Sequence, residues 1–255
     1  MSTAHSRLRQ RSVFINCPYD TDFRPAFDAI IFATVCCGFE PRSATETGTT
    51  ADSRMDRIVK SLRGSQYSIH DLSRLRGEGT ANLARLNMPF ELGIAMAMRQ
   101  ACKEGETDQD HDWMVLVPGD AAYDKVISDL NGYDLRRYDG SIFGIVSQVM
   151  SWLFTRGEGL ASRHRPIDIF DALPDYDDAL RQLRSGWNQA ETWQHVVDEA
   201  RAVGRTKGLL AAGKKPRGGA GGGGRRAPAG AAEQRPPGTL ATPGTPALPG
   251  SAPLP

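Results

Sequence analysis

The sequence predicts an α/β protein: a five-stranded parallel sheet of flavodoxin-like order 2-1-3-4-5, with helices on both faces. Short apolar runs ending at Pro, Gly or polar residues alternate with stretches of helical periodicity. Their order is β-α-β-α-β-α-β-α-β-α within about 145 residues, and such alternation selects a parallel sheet. Five strands then suit the 2-1-3-4-5 arrangement.

Val13 to Pro18, V-F-I-N-C-P, is a buried strand closed by proline. Asp22 to Cys37 sets Phe23, Phe27, Ile30, Ile31, Thr34 and Val35 at helical spacing and stops at Gly38. Phe39 to Ala44 is the second strand, and the Thr-rich stretch to Ser53 is a loop. Arg54 to Arg63 gathers Met55, Ile58, Val59 and Leu62 on one helical face before Gly64. Tyr67 to Leu72 alternates as the third strand, and a long loop carrying Arg74, Arg76 and Arg85 follows. The next helix opens N-M-P-F-E-L-G-I-A, with Asn87 as expected cap and Pro89 in its first turn. Trp113 to Val117 is the most apolar strand, Ala121 to Leu130 a helix, and Leu135 to Tyr138 an edge strand. Ser141 to Phe154 is a strongly amphipathic helix. The α/β domain thus spans residues 11–156, and 157–168 reads as a linker. Residues 169–210 read as a small helical appendage that packs on the main domain or on another subunit.

From Ala211 to Pro255 there are 11 Gly and 9 Pro and no aromatic residue. Such a composition predicts a disordered tail, residues 211–255. The net charge of +1 gives no global attraction to nucleic acid or membrane, and only the basic tail offers a weak nucleic-acid contact. Cys17, Cys36, Cys37 and Cys102 form no CxxC pair, which suits reduced thiols. The polar first ten residues lead straight into a strand, and no apolar run is long enough to span a membrane. The expectation is a cytoplasmic protein.

In an open parallel sheet, ligands bind beyond the carboxyl ends of the strands, where the order reverses. For 2-1-3-4-5 that point lies between the first and third strands. Asn16, Cys17 and Tyr19 leave the first; His70, Asp71 and Ser73 leave the third; the helix carrying Glu91 begins at the same edge. Cleaving an N-glycosidic bond develops positive charge on the sugar, which a carboxylate can stabilise or attack. Glu91, close to a helix start that favours its ionised form, has that chemistry. Asp71 is placed to orient a hydroxyl or pass a proton to a departing base, or to cap its own loop. Arg42, at the end of the second strand, holds a phosphate or pairs with an acid; His70 is structural rather than a base. Asn16, Cys17, Tyr19, Arg42, Ser73, Asn87 and Met88 form the candidate substrate-binding set around Glu91 and Asp71. The scattered histidines predict no metal site.

The blocks V-F-I-N-C-P-Y-D, D-F-R-P-A-F-D-A-I, G-F-E-P-R, R-M-D-R-I-V-K-S-L-R, Y-S-I-H-D-L-S-R and L-N-M-P-F-E-L-G-I-A resemble bacterial nucleoside 2-deoxyribosyltransferase-like proteins, which are structurally close to TIR-type NAD-cleaving domains. The resemblance covers about residues 11 to 155. It implies that Glu91 is the nucleophile on the anomeric carbon and that Asp71 holds the nucleoside. Related domains with appended helices resemble toxic effectors of anti-phage systems. The transferases carry an acidic element just before this helix; here the stretch is N-L-A-R-L-N. A basic loop suits a phosphate-bearing substrate, so NAD is the favoured substrate of a glycohydrolase reading, with no cofactor. The rivals are base exchange by a nucleoside deoxyribosyltransferase and a non-catalytic, TIR-like nucleotide-binding or interaction module. The expected partners are a nucleotide or nucleoside ligand, a second copy met through the C-terminal helices, and proteins of a defence system.

Overall fold

Five short strands carry the fold: β1 (Ser12–Asn16), β2 (Glu40–Arg42), β3 (Tyr67–Asp71), β4 (Asp112–Pro118) and β5 (Arg136–Tyr138). They pair in the order β2-β1-β3-β4-β5, all parallel, as the sequence predicts. The computed structural model describes residues 9, 11–46, 51–75, 86–103, 111–121, 123–156, 164–187 and 191–210. Residues 76–85 of the long loop, 157–163 of the expected linker and the tail from 211 lie outside these.

Seven helices accompany the described strands: α1 (Arg24–Cys36), α2 (Arg54–Arg63), α3 (Asn87–Lys103), α4 (Ile142–Phe154), α5 (Pro166–Phe170), α6 (Leu173–Gly186) and α7 (Trp193–Thr206). Local chemistry sets several of their ends. Ser53 and Asp56 form a reciprocal capping box at the start of α2, and Gly64 follows its last residue. The Ser141 hydroxyl accepts the Gly144 N–H at 2.9 Å to open α4. Two expectations need correction. Asn87 is the first residue of α3 rather than its cap. Residues 121–130 form no α-helix but short 3-10 turns, Tyr123–Lys125 and Ser128–Gly132. Tyr123, Ile127 and Leu130 still pack against the cluster around Val115 and Val117, but from these turns rather than from a regular helix, while Val126 is half-exposed.

Strand alternation divides the core into two faces. Val13, Ile15, Cys17, Ile69, Met114 and Leu116 pack with α1 and α4. On the other face Phe14 packs with Ile58 and Leu62 of α2 and Ala95 of α3, while Val115 and Val117 pack with Met88 and Leu92 of α3. By the same alternation Asn16 and His70 belong to the α2/α3 face, and Cys17 and Asp71 to the α1/α4 face.

The C-terminal helices are part of this core. Ile169, Leu173, Tyr176, Leu180, Val196, Val197 and Ala200 lie in the same apolar cluster as β1 and α1. The rings of Phe32 and Tyr176 stack with centroids 5.0 Å apart, and the Tyr176 hydroxyl donates to the Val196 carbonyl at 3.2 Å. Asp28 of α1 accepts from Arg24 at 3.1 Å and from Arg184 of α6 at 2.9 Å. Both arginines also bond Glu191, at 2.9 and 3.0 Å. The described residues all fall in one compact unit, Met1–Gly213. None of the described helices is long and apolar enough to cross a membrane.

Candidate functional site

The carboxyl ends of β1 and β3 are adjacent, with Asn16 in register with His70. The helices leaving these strands lie on opposite faces of the sheet, so the crevice of a topological switch point opens between them. α3 enters this edge with its first turn. The Asn16 amide donates to the Met88 carbonyl at 3.3 Å, which ties the end of β1 to that turn. Glu91 follows Met88 by three residues, on the same side of the helix.

Glu91 is 1 % exposed. Its Oε1 lies 3.2 Å from Nη1 of Arg54, the first residue of α2, whose side chain is 43 % exposed. The two are ion-paired without an aimed hydrogen bond, and Oε1 has no hydrogen-bond partner. Because α3 already begins at Asn87, Glu91 is its fifth residue, beyond the free N–H groups of the helix start. The expected help from the helix terminus is therefore replaced by Arg54. Burial pushes the Glu91 carboxyl above its ordinary value, and Arg54 pulls it back down.

Asp71, the last residue of β3, is fully buried. Its Oδ1 accepts the Ser73 N–H at 2.9 Å and the Ser73 hydroxyl, and Oδ2 accepts from the Tyr138 hydroxyl at 3.4 Å. These bonds favour the charged form, yet burial outweighs them and raises its pKa to about 6. Asp71 thus caps its own loop and also sits in the titration range of a general acid. No hydrogen bond among the described residues joins Asp71 to Glu91. The Cys17 thiol has its pKa pushed well up, by burial first and then by the charges of Asp71, Asp28, Asp20 and Glu91 in that order. It is a neutral, free thiol inside the site.

Tyr19 closes the edge toward β2. Its hydroxyl lies 3.1 Å from Ser43 Oγ, its ring meets Phe27 edge-on, and burial raises its pKa, with Glu91 and Arg54 near enough to contribute. His70 is held by Asn16 on one nitrogen and Ser68 on the other, at 2.9 Å each. Burial lowers its pKa to about 3, so its ring is neutral. Arg42 Nε bonds both Glu46 oxygens, at 2.7 and 2.9 Å, so it pairs with an acid here. Arg74 bonds Asp20 at 3.0 Å; Arg76 and Arg85 lie outside the described residues. Asn87 is exposed, and Met88 contributes its carbonyl while its side chain packs in the core.

Asn16, Cys17, Tyr19, Met88 and Glu91 therefore meet at one edge. Cys17 and Asp71 come to that edge from the α1/α4 face, Asp71 with Ser73, while Arg42 is paired with Glu46 and Asn87 is exposed. Arg54 and Tyr138 were not visible as site residues in the sequence. Arg54 read as one basic residue of an amphipathic helix, and Tyr138 as the end of an edge strand. Among the described residues no group of three or more His, Cys, Asp or Glu could hold a metal ion. No protein-family model matches the chain, and no curated protein matches its sequence.

Proposed function

We propose that this protein cleaves the N-glycosidic bond of a nucleotide, with NAD the favoured substrate. The observation that carries the reading is the buried Glu91 carboxylate at the β1/β3 switch point, with Oε1 ion-paired to Arg54 at 3.2 Å. Ionised, the carboxylate stabilises the oxocarbenium charge at the anomeric carbon or bonds to it covalently, and water then releases the sugar. The nicotinamide of NAD leaves as a neutral base and needs no proton. A purine or pyrimidine leaves better when protonated, and Asp71, with a pKa of about 6, suits that delivery. This property favours a second reading, base exchange on a nucleoside, which uses the same Glu91. A role as a defence effector, acting with partner proteins, rests on the sequence resemblance.

The test is chromatography of products after incubating the full chain with NAD and with a panel of ribo- and deoxyribonucleosides. Glu91→Gln is expected to lower turnover by at least about 100-fold on every substrate cleaved. Asp71→Asn is expected to slow nucleoside cleavage more than NAD cleavage. Equal turnover by wild type and Glu91→Gln would refute the role of Glu91. Saturable binding of NAD without any product after long incubation would instead support a non-catalytic module.

A further inference from the structure

A file of buried hydrogen-bonding groups runs along β3 and ends at the site. His111 Nδ1 lies 3.0 Å from the Ser65 carbonyl, and His111 Nε2 lies 3.0 Å from Ser68 Oγ. Ser68 Oγ lies 2.9 Å from His70 Nε2, and His70 Nδ1 lies 2.9 Å from Asn16 Nδ2. All five residues are fully buried. Burial keeps both imidazoles neutral, His70 with a pKa of about 3 and His111 of about 4.

The direction of every bond follows from the two ends, because a carbonyl only accepts. The Ser65 carbonyl requires an N–H on His111 Nδ1, which leaves Nε2 as acceptor for the Ser68 hydroxyl. Ser68 Oγ then accepts from His70 Nε2–H, which leaves His70 Nδ1 bare. At the other end the Met88 carbonyl requires the Asn16 amide nitrogen to face it at 3.3 Å. The same nitrogen supplies its second N–H to His70 Nδ1. Turning the amide over would set its oxygen against the Met88 carbonyl and the bare His70 nitrogen, two acceptors. Asn16 Oδ1 is thereby held in one orientation, and it is buried without a hydrogen-bond partner. Among the described residues, the carboxyl or carboxamide oxygens in that condition are Asn16 Oδ1 and Glu91 Oε1, the latter facing the Arg54 cation at 3.2 Å. Both belong to the edge where β1 meets the first turns of α3. Native structures rarely leave such an oxygen unmatched, and a catalytic or binding role is one reason for it.

We propose that Asn16 Oδ1 reads a hydrogen-bond donor on the ligand, a ribosyl hydroxyl, and that His70 and Ser68 are positioning residues that lock the amide for it. The ligand assignment rests on the N-glycosidic reading; the lock does not. A site that accepts a hydroxyl disfavours the analogue lacking it, since the acceptor then stays unmatched. The full chain is therefore expected to bind NAD at least tenfold more tightly than one of its two analogues lacking the 2′- or 3′-hydroxyl of the nicotinamide ribose. His70→Phe and the milder Ser68→Ala are expected to bring that preference close to one. A role confined to stability would lower the melting temperature and leave the preference unchanged.

The lock is read without ligand by nitrogen NMR of the labelled chain. His70 is expected as the neutral Nε2–H tautomer and His111 as the neutral Nδ1–H tautomer. The opposite tautomers, or full preference in both folded variants, would overturn the lock. Equal affinity of wild type for NAD and both analogues would overturn the reading of Asn16. A wild type that binds none of these probes overturns the ligand assignment along with the proposed function, and the tautomers still decide the lock. NAD bound with the stated preference but never cleaved overturns the proposed function alone.

Discussion

Glu91 titrates between two opposed forces, burial pushing its pKa up and Arg54 pulling it down. Replacing Arg54 with Met leaves burial unopposed, so the carboxyl takes up its proton at a higher pH. The acidic limb of the kcat/KM profile for NAD is expected to move to higher pH in Arg54→Met; a shift to lower pH would contradict the pairing. Asp71 makes a separate prediction about stability. Its pKa rises from an ordinary 3.8 to about 6 on folding, so the fold favours the protonated form. That contribution is complete below about pH 4 and is lost as pH rises through 6, amounting to about 3 kcal/mol over the window. Urea unfolding of wild type and Asp71→Asn between pH 4 and 7 should therefore diverge, with the wild type losing stability relative to the variant as pH rises. Sequence reasoning singled out both carboxylates because the end of β3 at Asp71 and the start of α3 before Glu91 are local facts. It missed Arg54, whose distance from Glu91 depends on two helices packing side by side.

At the scale of elements, α1 is the unusual one. Every residue from Ala26 to Cys36 is buried, so this helix has no solvent face over that length. One side covers β1, and the other is covered by α6 and α7. The apolar spacing in the sequence located the helix, while the shortage of polar residues between Pro25 and Gly38 was the overlooked sign of a second covering layer. Phe32 and Tyr176 meet in that layer. Phe32→Ala is expected to cost about 3–5 kcal/mol by deleting a fully buried ring, measured by denaturant unfolding. A loss below about 1 kcal/mol would mean that the layer forms independently of α1. The misread helix at 121–130 shows the converse. Its apolar spacing permits a helix, but short 3-10 turns already set Tyr123, Ile127 and Leu130 against the same cluster.

For the whole molecule, α5 to α7 complete the core. Trp193 lies against Phe27, and Arg184 ties α6 to Asp28, so these groups serve the fold itself. Trp187, 53 % exposed and beside His195, is the aromatic residue of these helices left at the surface. A chain ending at Arg165 is expected to lose cooperative thermal unfolding, because α1 would expose its second face. A chain ending at Gly213 keeps the complete compact unit and should unfold cooperatively. Cooperative melting of the shorter chain would establish the sheet domain as independent. The sequence by itself determined the strands, most helix bounds, the parallel order and the edge that the candidate site occupies. Those properties follow from periodicity, caps and the handedness of crossovers, which act over neighbouring residues. Only the tertiary structure decided that Arg54 rather than a helix terminus faces Glu91, that Asp71 comes from the opposite face, and that a histidine file holds Asn16. Each of these depends on side chains that are far apart in the chain and meet only when the layers pack.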